Sequence, residues 1–98
     1  IALADARFIE PLTLGDLAGS AGMSDFHFAR LFTQATGMSP HKYVVHRRVV
    51  EACRLLRDQT APADVATRVG FADQAHLTRH FKRVIGITPA HFARGRAP

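Results

Sequence analysis

The sequence predicts an all-α protein of about seven helices: two helix-turn-helix units joined by a long central linker helix. Three observations predict it. Apolar residues recur at three- and four-residue spacing, and no stretch alternates strictly enough to read as a strand. Helix-starting Ser, Thr or Asp and helix-ending Gly punctuate the chain at intervals. The second half also repeats the first at a nearly constant offset, which defines the architecture before any element is placed.

The first helix is expected over 2–9, ended by Pro11. A second follows a Thr13 cap, with Leu14, Leu17, Ala18 and Ala21 inward, and stops at Gly22. The third starts at the Ser24 cap and covers 25–36, with Phe28, Leu31, Phe32 and Ala35 inward and Gly37 as its left-handed terminus. Ser39-Pro40 opens the fourth, a cap followed by proline at the first helical position. It reaches Arg57, with Val45, Val49, Ala52, Cys53 and Leu56 along one stripe, and makes a rod of about 27 to 30 Å. A fifth covers 62–69 before Gly70. The sixth follows the Asp73 cap over 74–85, with Leu77, Phe81, Val84 and marginally Ile85 inward, and ends at Gly86. Thr88-Pro89 opens a short seventh, and the tail RGRAP reads as frayed.

The repeat is explicit in the letters. DLAGSAG (16–22) matches DVATRVG (64–70) at an offset of 48, and RLFTQATGMSPHKY (30–43) matches RHFKRVIGITPAHF (79–92) at 49. The expected division is therefore 1–38 for the first unit, 39–58 for the linker helix and 59–98 for the second unit. Each unit is a short helix, a glycine turn and a longer helix with an apolar and a partly basic face. Such a second helix enters the DNA major groove. Two copies on a rod of about 30 Å approach the roughly 34 Å that separates successive major-groove faces. Double-stranded DNA is the expected partner.

Composition agrees. The 98-residue chain carries a net charge of +5, and the excess is lopsided, with five basic and four acidic groups in 1–49 but eight and four in 50–98. That balance favours a polyanion partner, nucleic acid before membrane. No apolar run approaches the roughly 18 residues of a membrane helix and no leader pattern is present, so a soluble intracellular protein is expected. The chain starts at Ile1, already in a helical pattern by Ala2, and reads as a piece of a longer protein. Cys53, the single cysteine, sits among apolar neighbours and reads as a buried thiol. There is no Walker-type glycine loop, catalytic triad or carboxylate pair, so no enzyme is expected. His76 and His80 have the spacing of a helical metal pair but lack a third ligand, so neither a metal nor a cofactor is expected.

LAGSAGMSDFHFARLFTQATGMSPHKYV, the helical RRVVEACRLL and above all VATRVGFADQAHLTRHFKRVIGITPAHF resemble the DNA-binding domain of the AraC/XylS family of bacterial transcription regulators. The similarity runs from about Phe8 to Ala93. It implies homeodomain-like units, a promoter-binding activator or repressor in the bacterial nucleoid, RNA polymerase as a further partner, and a separate effector or dimerisation domain N-terminal to this piece. Two departures stand out: Pro62 lies where a branched apolar residue usually opens the fifth helix, and Ala75 where a small polar residue is common.

Helical geometry sorts the candidates. Phe26, His27, Ala29 and Arg30 in the first recognition helix, and Gln74, Ala75, His76, Thr78 and Arg79 in the second, are the expected base contacts. Arginine can bind guanine O6 and N7 bidentately, and an exposed phenylalanine can pack on a thymine methyl. Ser24, Thr33, Gln34, Arg47, Arg48, Lys82 and Arg83 are the expected phosphate contacts, which set register. Two other classes stay open: the regulatory DNA-binding part of a DNA-repair methyl-transfer protein, which would need a reactive cysteine unlike Cys53, and a helical protein-interaction module.

Overall fold

The structure, a computed structural model, describes residues 14–95. Six helices lie among them: α1 (Leu14–Ser20), α2 (Asp25–Thr36), α3 (Pro40–Arg57), α4 (Pro62–Arg68), α5 (Gln74–Ile85) and α6 (Pro89–Gly95). The helix expected over 2–9, the Thr13 cap, the Leu14 side chain and residues 96–98 lie outside the described residues. The part of the tail that is described, Arg94 and Gly95, is helical rather than frayed.

The helix boundaries follow from local chemistry, and they recur in both halves. The Ser24 Oγ accepts the His27 N–H at 3.2 Å and the Asp73 Oδ1 accepts the His76 N–H at 2.8 Å, so each recognition-type helix starts on a side-chain cap. The Ser39 Oγ and the Thr88 Oγ1 likewise accept from Lys42 and His91, at 3.2 and 3.1 Å. The turns between short and long helix also match. Gly22 and Gly70 take left-handed φ values of 70° and 94°, which lets the next amide reach back to the helix: Met23 N–H to the Ala18 carbonyl at 3.0 Å, Phe71 N–H to the Ala66 carbonyl at 2.9 Å. The repeat seen in the letters is thus a repeat of hydrogen bonds.

Contacts divide the chain into two compact units, 1–47 and 48–98, and the division falls within α3. In the first, Leu17 and Ala18 from α1 meet Phe28 and Phe32 from α2 and Val44 from α3, with half-buried Tyr43 against them. Phe32 packs edge-on to Tyr43, ring centroids 5.2 Å apart. In the second unit Val49, Ala52, Cys53 and Leu56 from α3 are buried, as are Val65, Ala66 and Val69 around α4, and Leu77 and Phe81 from α5. Phe81 packs edge-on to Phe92 at 5.5 Å, at the positions equivalent to Phe32 and Tyr43. Pro62 stands at the start of α4 where no side chain caps the helix, and burial of Val65, Ala66 and Val69 anchors it instead.

Five residues expected inside are exposed. Ala21 and Ala35 are on the surface, and Leu31, Val84 and Ile85 are 38, 40 and 39% exposed. Ala35, Val84 and Ile85 lie in the last turns of the twelve-residue helices, Ala21 follows the end of α1, and Leu31 lies about 60° and 100° around α2 from Phe28 and Phe32, at the edge of the buried stripe. Each long helix keeps a narrow buried stripe one turn deep, Phe28 with Phe32 and Leu77 with Phe81.

Burial pushes the Cys53 thiol up from its ordinary pKa, against a smaller opposing pull from the Arg57 charge. A thiol whose folded-state pKa is raised contributes stability below its unfolded pKa, and that contribution is lost as pH rises through the folded value. The native chain at pH 8 is therefore expected to react with an aromatic disulfide reagent at least about tenfold more slowly than the urea-unfolded chain. Equal rates would show an accessible thiolate.

Candidate nucleic-acid interface

The two recognition-type helices, α2 and α5, each have twelve residues, and each anchors one stripe inside its own unit. The opposite stripe is therefore forced outward, and it carries the polar and basic side chains. In the first unit Ser24, Phe26, His27, Arg30, Thr33 and Gln34 are exposed and Ala29 is half-buried. Phe26 is 76% exposed. Phe26, Ala29, Arg30, Thr33 and Gln34 line one open groove along α2. In the second unit Gln74, Ala75, Arg79, Lys82 and Arg83 are exposed, whereas His76 and Thr78 are half-buried.

Several of these groups are already committed within the fold. The Thr33 hydroxyl donates to the Ala29 carbonyl at 2.8 Å, so it must rotate before it can donate to a phosphate. The Ser24 oxygen accepts a cap bond, which leaves its own O–H to donate outward at a helix start where free amides also favour an anion. His76 accepts the Ala72 N–H at Nδ1 over 3.4 Å, and its ring lies edge-on to His80, centroids 4.8 Å apart. His80 stacks on Phe71 with planes within 7° at 5.5 Å.

Arg47 and Arg48 are half-buried on α3. The Arg48 guanidinium lies 5.7 Å from the centroid of Phe71, and desolvation by burial lowers its pKa. Arg48 thus has a structural role in the second unit that its place in the sequence does not advertise, because the partner ring is distant along the chain. Sequence reasoning also missed the pairing of Phe26 with Arg30, whose guanidinium carbon lies 5.7 Å from the Phe26 ring centroid. Here a signal existed: the two are four residues apart, neighbours on one helix face. Among the described residues no three His, Cys, Asp or Glu side chains are placed to hold a metal ion. No helix among them is long and apolar enough to cross a membrane.

The geometry has counterparts among known proteins. The family model for a helix-turn-helix domain matches residues 17–95. An uncharacterized HTH-type transcriptional regulator of Bacillus subtilis, YbfI, is 37% identical over 73 residues, covering 74% of this chain and 26% of the relative. The chain thus spans about a quarter of that relative's length. A transcriptional regulator from Chromobacterium violaceum, described as having an AraC-type DNA-binding domain, is 30% identical with a TM-score of 0.88, over 98% of this chain and 87% of that one. The DNA-binding domain of AdpA, a global transcriptional factor solved in complex with a target DNA, is 34% identical with a TM-score of 0.90, over 96 and 86%.

Proposed function

We propose a function from one premise: the chain belongs to the AraC/XylS family of helix-turn-helix DNA-binding domains. Its role is sequence-specific binding of double-stranded DNA in the regulation of transcription, with α2 and α5 as recognition helices in successive major grooves. The observation that carries this reading is the duplicated unit, in which an equivalent cap, turn and core stripe twice turn a polar, basic face outward.

Within that reading the division is 1–38, 39–58 and 59–98, with the middle segment as the linker. Phe26, His27, Ala29 and Arg30 face bases in one groove, and Gln74, Ala75, His76, Thr78 and Arg79 in the next. Ser24, Thr33, Gln34, Arg47, Arg48, Lys82 and Arg83 set the register on phosphates. The protein acts in the bacterial nucleoid, in the cytoplasm, without catalysis. RNA polymerase is its further partner at a promoter, and an effector or dimerisation domain N-terminal to this segment controls it.

Selection of bound sequences from a random DNA pool tests the reading directly. Arg30→Ala and Arg79→Ala are each expected to weaken binding to the selected site by about 5- to 150-fold, the worth of one bidentate arginine–guanine contact. Binding to unrelated DNA should change by no more than about twofold. Equal losses on both DNAs would reassign the two arginines to phosphates. An unenriched pool, with no salt-sensitive binding at low ionic strength, would turn the assignment to a helical protein-interaction module.

A further inference from the structure

Phe26 and Arg30 are both exposed on α2 and in contact with each other. The ring is 76% exposed, yet it does not project alone, because the Arg30 guanidinium carbon sits 5.7 Å from its centroid. A guanidinium is weakly hydrated and planar, and one resting beside an aromatic ring still has N–H donors for an acceptor pair. The rotameric freedom that a long arginine would lose on meeting a base is then partly lost beforehand.

The repeat supplies an internal comparison. At the offset of 49, Arg79 is the counterpart of Arg30, and Ala75 is the counterpart of Phe26. A methyl group offers no π face, so the second recognition helix presents the same arginine without the ring beside it. The separation also bears on what is read. A distance of 5.7 Å lies between one and two base-pair rises of about 3.4 Å. A ring on a thymine methyl and a guanidinium on guanine O6 and N7 therefore address base pairs that are neighbours or next neighbours.

We propose that Phe26 is a positioning residue for Arg30, and that the two side chains read a thymine and a guanine one or two base pairs apart as a single unit, in the first half-site only. This inference rests on the DNA-binding reading above. Arg79, without a ring, reads its base independently of residue 75.

The test measures binding of the 98-residue chain to its selected site by fluorescence anisotropy, on DNA carrying guanine→adenine or thymine→uracil changes. Uracil removes only the C5-methyl. Wild type is expected to discriminate at both positions. Phe26→Leu keeps an apolar contact with the methyl but removes the π face, and it is expected to lower guanine-over-adenine discrimination at the Arg30 position by about two- to fivefold. Phe26→Tyr, which keeps the face, should restore it. In a double-mutant cycle Phe26→Leu should have no effect on guanine discrimination once Arg30→Ala is present. Independent, multiplicative losses, or a Tyr variant that behaves like Leu, would overturn the coupling while leaving DNA recognition intact. Failure of the underlying reading looks different: wild type itself would then show no preference at any position.

Discussion

Raising the salt concentration from 50 to 200 mM is expected to weaken binding of this chain to its selected DNA by about 10³- to 10⁵-fold. Each neutralised phosphate releases condensed counterions, and the slope of log affinity against log salt is about −0.9 per phosphate on B-form DNA. Six to ten phosphates give the stated range. The structure exposes Lys82 and Arg83 on the outward face of α5, places half-buried Arg47 and Arg48 on α3, and adds two capped helix starts at Ser24 and Asp73. Lys82→Ala and Arg83→Ala should each reduce the slope by about one and weaken specific and unrelated DNA alike. Arg48→Ala should behave differently, because its guanidinium also covers Phe71 and its loss falls partly on stability. Titrations at four or five salt concentrations give the slope directly. A slope shallower than about −2 would mean that these cations do not meet phosphates.

What the sequence made legible was local, and what it hid depended on distant partners. Caps at Ser24, Ser39, Asp73 and Thr88 could be read because a side-chain oxygen and an amide three residues on settle each of them. Terminators at Gly22 and Gly70 follow from the one residue type that adopts positive φ freely. Gln59 does the same job at the end of α3, at φ 67°, with the Thr60 N–H reaching the Leu55 carbonyl at 3.0 Å, and no residue type announced it. The inner face of α2 and α5 was only half legible. Periodicity marks Leu31, Val84 and Ile85 as apolar-face residues, but their burial depends on which neighbour packs against the helix and over what width and length, which no short window contains. For the same reason the outward stripe of Phe26, Arg30 and Arg79 was readable, whereas the Arg48–Phe71 contact and the stacking of His80 on Phe71 were not. Helical angle alone separates the first set from the core, and only tertiary structure brings together the second.

Phe81→Ala is expected to destabilise the second unit by about 3 to 5 kcal/mol, the usual cost of emptying a buried phenylalanine site. Phe81 is fully buried and lies edge-on to Phe92, and it shares the inner stripe of α5 with fully buried Leu77. Small helical domains hold about 5 to 15 kcal/mol in total, so one substitution removes a large share of the stability that keeps α5 in place. The consequence reaches function because Arg79 and Lys82 are two residues before and one after Phe81 on the same helix: the side chain that fixes the core also fixes their direction. Phe32→Ala is the matching change in the first unit, where Phe32 meets Tyr43 in the same edge-on arrangement. Phe26→Ala provides the contrast, since an exposed ring should cost no more than about 0.5 kcal/mol. Urea unfolding followed by circular dichroism would measure all three. If the units unfold separately, Phe32→Ala and Phe81→Ala should each lower a different transition; if they unfold together, both lower the same one. A loss below about 1 kcal/mol for Phe81→Ala would mean that the second unit's core does not depend on this ring, and that α5 must be held by Val65, Val69 and Leu77 without it.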